Sequence, residues 1–297
     1  MPSRRAFLNA ASAATVYRLV EAAPAAARAL APSDTLRIGH IGVGIRGSQL
    51  MDEFSRIPGV QQVVAADLYD GYLQHAREFT GGKIETTKRY EDVLARKDLD
   101  AVVIATPDHH HRHMTLEALS AGKHVYIEKP LTWSLKEGPE IIAAEKRSGK
   151  VLMVGSGGKT TTLVAKTREL IAQGAVGAVR QIRMVNHRNS KEGAWIYPVP
   201  PDASPQTIDW ERFLGPAPKR AFSPEVFFRW RCWWEYSGGV ATDLFVHLLT
   251  TLHEVMNVTA PVSVVSQGGL FKWKDGRTVP DLLESVFEYK EGFFAQM

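Results

Sequence analysis

Apolar residues in the first half of the chain gather into short runs at 36–41, 62–66, 101–105, 123–127 and 151–154. Brief, nearly continuous apolar runs suit parallel strands buried on both faces. Between them lie stretches that read as helices, at 71–79, 90–96, 109–121 and 135–147, and the glycines Gly81, Gly82, Gly122 and Gly149 stop three of them. Strand and helix in alternation predict an α/β fold with a doubly wound parallel sheet over residues 34–155. The second half changes character. Residues 160–173 read as a helix ended by Gly174, 179–185 as a strand, 240–255 as a helix opened by Gly238-Gly239, and 262–267, 282–289 and 293–297 as strands. From 186 to 224 runs a long irregular stretch rich in Pro, Trp and Tyr, and such stretches inside a compact domain are usually functional or interfacial. A last strand that starts a hairpin and then stops leaves a sheet edge unpaired. The second domain, residues 156–297, is therefore expected to be truncated at its C-terminus.

The first turn carries the clearest chemistry. Gly42-Val43-Gly44-Ile45-Arg46-Gly47 lies between a strand and a helix, where backbone N–H groups and a positive helix end can approach a pyrophosphate. Gly42 would make the tight turn, Gly44 would leave room for the phosphates, and Gly47 would let helix and strand pack closely. Asp67 closes the next apolar run 20 residues after Gly47, where a carboxylate would hold ribose hydroxyls. It is followed by Leu68-Tyr69-Asp70 rather than Arg or Lys, which favours NAD over NADP.

Three further places offer reactive groups. Thr106-Pro107-Asp108 closes the run at 101–105, with Asp108 fitting a helix N-cap and one of His109, His110 and His111 able to touch cofactor or substrate. These histidines and His113 do not read as a metal site, because neighbours at a helix start point in different directions and only Glu117 lies at a matching spacing. Glu128-Lys129-Pro130 closes the run at 123–127, and open α/β sheets bind ligands at the carboxyl ends of their strands. Asp243 and His247 stand four apart on one predicted helix, so a carboxylate could hold a neutral imidazole ready to accept a proton. Arg229-Trp230-Arg231-Cys232-Trp233-Trp234 could be core, an oligomer interface or a platform on which sugar rings stack. Candidate substrate contacts are Arg188, Trp195, Tyr197, Arg229 and Arg231.

Charge and composition narrow the classes. The formal charge is +4, but Arg4, Arg5, Arg18 and Arg28 against Glu21 place +3 of it in residues 1–33, leaving a nearly neutral body that argues against nucleic acid. No apolar run is long enough to span a membrane, and the single Cys232 rules out an internal disulfide. Ser3-Arg4-Arg5-Ala6-Phe7-Leu8 and the Ala-rich segment after it resemble a twin-arginine leader, interrupted by Arg18 and Glu21. Residues 1–33 are thus expected to be an export leader handled by the twin-arginine machinery, for a periplasmic destination, with the cytoplasm as second choice. Outside the cytoplasm no nicotinamide pool exists, so the cofactor is expected to stay bound and to be recycled by a second substrate.

Over residues 36–297 the chain resembles the Gfo/Idh/MocA oxidoreductases. The likeness rests on the glycine loop, on Ala105-Thr106-Pro107-Asp108-His109 with His111, on Glu128-Lys129-Pro130, and on Gly238-Gly239 followed by Asp243 and His247. It implies a Rossmann NAD domain followed by an α+β domain with an open, mainly antiparallel sheet that also makes a homo-oligomer interface. It further implies that Lys129 and His247 meet at the nicotinamide with Asp243 beside them. His247 would be the general base, Lys129 the electrostatic partner, and Asp243 would orient His247 or bind a second hydroxyl. Gly42, Gly44, Ile45, Arg46, Gly47, Asp67, Thr106, Pro107, His109, His111, Glu128 and Lys129 would surround the cofactor. The resemblance thus implies hydride transfer between NAD and a sugar, sugar acid or cyclitol. A second reading is a glycosidase that oxidises transiently and eliminates, although the branch that does so typically lacks the lysine of the Glu-Lys-Pro motif. A third is an inactive or sensing dinucleotide-binding protein.

Overall fold

The computed structural model describes residues 35–157, 160–188 and 190–297; the expected leader lies outside them. Strands β1 (Leu36–Ile41), β2 (Val60–Ala66), β3 (Glu85–Thr87), β4 (Ala101–Ile104), β5 (His124–Glu128) and β6 (Leu152–Gly155) form one sheet in the order β3-β2-β1-β4-β5-β6. Every neighbouring pair in it is parallel. Helices α1 (Ile45–Ser55), α2 (Asp70–Phe79), α3 (Tyr90–Ala95), α4 (Asp108–Ser120) and α5 (Glu137–Ser148) connect them. The apolar runs explain this layout, since Val102, Ile104, Val125 and Ile127 of the central strands are all buried in one core. Strand order reverses between β1 and β4, and this switch point opens a crevice beyond the carboxyl ends of the strands. The polar β3, Glu85-Thr86-Thr87, has no apolar signature and is absent from the sequence reading; it pairs only at the sheet edge.

The second half supplies α6 (Thr162–Ala172), β7 (Gln181–Arg183), the one-turn helices α7 (Trp210–Leu214) and α8 (Pro224–Phe228), a π turn over Ala241–Phe245, α9 (Val246–Met256), β8 (Ser263–Gly269), β9 (Leu282–Tyr289) and β10 (Phe293–Gln296). Its sheet runs β7-β10-β9-β8, antiparallel except for β7 beside β10. Phe245 and Leu252 pack into one core with Phe287, Tyr289, Phe293 and Ala295 of this sheet. Its other face leaves Val265, Leu282, Val286 and Phe294 exposed. The expected fold class is observed: a parallel Rossmann sheet followed by an open, mainly antiparallel one.

The irregular stretch after residue 186 is more ordered than its composition suggests. Asp209 and Ser223 cap the short helices by accepting from Arg212 N and Val226 N. Ile208, Trp210, Phe213, Phe227, Phe228 and Tyr236 pack together with Tyr69, which follows β2. Backbone bonds from Asp70 N to Thr207 O (3.0 Å) and from Asp209 N to Leu68 O (2.9 Å) fix this aromatic layer beside Asp67. Among the described residues no helix is long and apolar enough to cross a membrane.

Candidate active site

The glycine loop is shaped by close backbone approach. Gly42 has a φ of 84°, and a Cβ there would lie 2.7 Å from Ala105 O, while one on Gly47 would lie 2.2 Å from Gly42 O. The first turn of α1 contains no acid, so its positive end faces the crevice uncompensated. Asp67 ties the loop to β2: Val43 N donates to its Oδ2 at 2.8 Å and Tyr69 N to its Oδ1 at 3.1 Å. Burial pushes the Asp67 carboxyl up to about 6 against the pull of these backbone donors. Gly42, Gly44, Ile45, Arg46, Asp67, Tyr72, Thr106 and Pro107 line this groove, and Phe213, Phe228 and Trp230 close it from the second half. A tight loop, an uncompensated helix end and a carboxylate at the end of β2 fit a dinucleotide. Lys88 also reaches the groove, a cation that the local sequence after Asp67 does not reveal, but it is paired with Asp70 at 2.9 Å.

A second cavity adjoins the groove and shares Ile45, Arg46, Thr106, Tyr197, Trp230 and Arg231 with it. Lys129 enters from the end of β5, and its Nζ donates to Asp243 Oδ1 at 2.8 Å and to Asp243 O at 3.0 Å. Arg231 Nε donates to the same Oδ1 at 3.0 Å, and Trp195 Nε1 donates to Oδ2 at 3.0 Å. Burial raises the Asp243 carboxyl, but the charges of Arg231 and Lys129 outweigh it and hold the group at about 2. Trp195 reaches this carboxylate from a left-handed backbone (φ 65°), a costly conformation for a bulky residue. Arg277 braces the turn: its Nη2 donates to Ala194 O at 2.9 Å and its guanidinium lies 4.7 Å from the Trp273 ring centre.

His247, in the first turn of α9, lines the same cavity. Burial, and next the Lys129 charge, lower its pKa below the ordinary 6.5, so the ring is neutral at pH 7. Glu128 is held by Arg46, whose Nε donates to its Oε1 at 2.8 Å. His111 bridges two strand ends, with Nδ1 2.6 Å from Pro130 O and Nε2 3.0 Å from Thr106 O.

Several expected placements are corrected. Asp243 does not orient His247, because its oxygens are taken by Lys129, Arg231 and Trp195; spacing on one helix face brings two residues near without deciding which partner wins. Trp195 accordingly supports Asp243 while also lining the cavity. His109 is buried and donates Nε2 to Phe213 O at 2.8 Å, and buried His111 serves as the strand bridge, so neither lines the groove. The neighbours His110 and His113 do line it. Asp108 is not an N-cap: it is the first residue of α4, and its Oδ2 accepts from Gly238 N (3.4 Å) and Thr242 Oγ1 (3.3 Å). Arg229 donates Nε to Tyr197 O at 2.9 Å and lines neither cavity. Arg188, Tyr197 and Arg231 do line the second cavity, with Asn186 and Gln49, which the sequence did not single out. Among the described residues, no group of three or more His, Cys, Asp or Glu is placed to hold a metal ion.

A model of an oxidoreductase family with an NAD-binding Rossmann fold matches residues 36–156, and the C-terminal alpha/beta domain model of that family matches 160–270. A glycosyl hydrolase family 109 protein of Shewanella baltica is 29% identical over 180 residues, covering 51% of this chain and 38% of that protein. An uncharacterized oxidoreductase of Bacillus subtilis is 28% identical over 178 residues, covering 60% of this chain and 48% of that protein. Less than half the length of these curated relatives is therefore matched. Among solved structures, the WlbA dehydrogenase of Bordetella pertussis in complex with NADH and UDP-GlcNAcA superposes with a TM-score of 0.67 at 21% identity, over 88% of this chain and 69% of that one. GenD2 from gentamicin A biosynthesis, in complex with NAD, gives 0.69 at 20% identity over 91% of this chain and 66% of that one. At these identities the superpositions speak for the fold.

Proposed function

This chain belongs to the Gfo/Idh/MocA oxidoreductase family, and from that premise we propose that it oxidises a hydroxyl-bearing carbon of a sugar, sugar acid or cyclitol with NAD. The observation that carries the proposal is that Lys129 and His247 line one cavity adjoining the dinucleotide groove. Oxidising a secondary alcohol requires a base for the hydroxyl proton and a cation for the charge that develops on oxygen. His247, neutral at pH 7, takes the proton. Lys129, already oriented by Asp243, donates a hydrogen bond to the developing alkoxide. A nicotinamide cofactor, held by the glycine loop and Asp67, would supply the acceptor for the carbinol hydride. Tyr197 and Trp230, both half-buried, offer apolar surface beside which a sugar ring can stack.

A panel of sugars, sugar acids and cyclitols should reveal substrates that reduce NAD, followed by nicotinamide absorbance. Lys129→Met and His247→Ala should each lower kcat/KM by roughly 100- to 1,000-fold, with NAD affinity within about threefold of the parent. Unchanged turnover in both variants would overturn the assignment. Since burial lowers the pKa of His247, activity should fall only as pH drops below about 6.5, when the base becomes protonated.

The names of the glycosyl hydrolase family 109 relatives support a second reading, transient oxidation followed by elimination. Lys129 beside Asp243 favours net redox; sugar released from a nitrophenyl glycoside without NADH accumulation would reverse the order. The Ser3-Arg4-Arg5 segment supports export with a retained cofactor, which gentle dialysis tests by whether NAD stays with the protein. The exposed apolar face of the second sheet supports self-association, which light scattering reads as mass.

A further inference from the structure

The second cavity carries more positive charge than its own acids match. Arg46, Lys129, Arg188 and Arg231 line it against Glu128 and Asp243. Arg46 is shared by Glu128 (2.8 Å) and, outside the cavity, Glu53 (2.9 Å), and Asp243 alone serves both Lys129 (2.8 Å) and Arg231 (3.0 Å). Arg188 has no carboxylate partner among the described residues; its guanidinium carbon lies 6.0 Å from the centre of the Trp195 ring. An oxidised nicotinamide, when bound, would add a further positive charge to the site. A neutral polyol would leave this surplus uncompensated where Lys129, Arg231 and Asp243 are largely buried, whereas an anionic substituent would neutralise it, and a planar carboxylate matches the fork of the exposed Arg188 guanidinium.

We propose that the substrate is a carboxylate-bearing sugar, a hexuronate or related sugar acid, and that Arg188 binds its carboxylate while Lys129 and His247 address the carbon to be oxidised. This inference deepens the oxidoreductase reading and rests on it. Buried Trp195 lies beneath Arg188, while half-buried Tyr197 and Trp230 give the cavity its apolar surface, beside which the ring would lie as the acid reaches Arg188. Arg231 adds positive charge at the centre of the cavity but is committed to Asp243, which leaves Arg188 as the arm available to a ligand.

The test uses the full chain loaded with NAD. D-glucuronate, D-galacturonate and D-mannuronate are titrated against D-glucose, D-galactose and D-mannose, with binding read by calorimetry at low salt. At least one hexuronate should bind about tenfold tighter than its parent hexose, and Arg188→Gln should reduce that preference to less than about threefold. Arg188→Lys should keep part of it, since the charge remains while the fork is lost. The proposal is overturned if no hexuronate outbinds its hexose, if Arg188→Gln weakens acid and hexose alike, or if D-glucose 6-phosphate is preferred over every hexuronate. The comparison in the unmodified protein decides the matter even if a variant fails to fold. Binding needs no hydride transfer, so the two readings fail separately. NADH formed from a neutral hexose without acid preference removes only this inference, and acid preference without NADH formation removes only the oxidoreductase assignment.

Discussion

The dinucleotide groove and the cavity beside it are built on different principles. The groove takes its defining groups from a single stretch, Gly42 to Asp67, and works through backbone N–H groups, a helix end and one carboxylate. The cavity works through long side chains drawn from both halves, and its central contact, Lys129 to Asp243, joins residues 114 positions apart. A backbone site fails when the chain is forced off its path. A side-chain site fails by degrees, as partners that hold one another are removed.

The sharpest way to break the comparison is Gly47→Val. Its Cβ would stand 2.2 Å from Gly42 O, so the loop must shift, and NAD affinity should fall by about 100-fold, roughly 3 kcal/mol, by calorimetry. Ordinary affinity with intact circular dichroism would mean that the groove does not depend on that close approach. A smaller effect follows from Asp67. Its carboxyl, raised to about 6, is mostly ionised at neutral pH; in the role expected of it, it would accept ribose hydroxyls, and protonation on acidification would remove an acceptor. NAD affinity should therefore weaken about tenfold from pH 7 to pH 5, and Asp67→Asn should bind weakly with a flat profile; a flat profile in the parent protein counts against this role. The smallest effect belongs to the cavity. Trp195→Phe removes one donor to Asp243, worth about 1 kcal/mol or somewhat more, and should slow turnover about three- to tenfold with NAD affinity unchanged. A loss in NAD binding instead would show that the two regions are not separable.

The same contrast decides what could be read from residues alone. The glycine loop, Asp67 and the parallel sheet were legible because spacing within one strand-turn-helix unit fixes their geometry. Lys129 and His247 could be nominated from strand ends and helix faces, but not the partners that hold them. The carboxylate of Asp243 is contested by Lys129, Arg231 and Trp195, and only the tertiary fold decides that competition. The histidine run shows the same limit, since the Phe213 carbonyl takes both His109 and His110, yet His110 lines the groove and His109 does not, a difference that only the packing around them decides. The aromatic layer after residue 199 lacked any period because its side chains serve one-turn helices and loops rather than a regular face.

The His111 ring sets a clearance. Wedged between Thr106 O and Pro130 O, a flat five-membered ring gauges the gap between the ends of β4 and β5 as a spacer in a joint would. The lip of the groove at Thr106 and the peptide carrying Lys129 are therefore geared together, and a disturbance that slides one drags the other out of alignment.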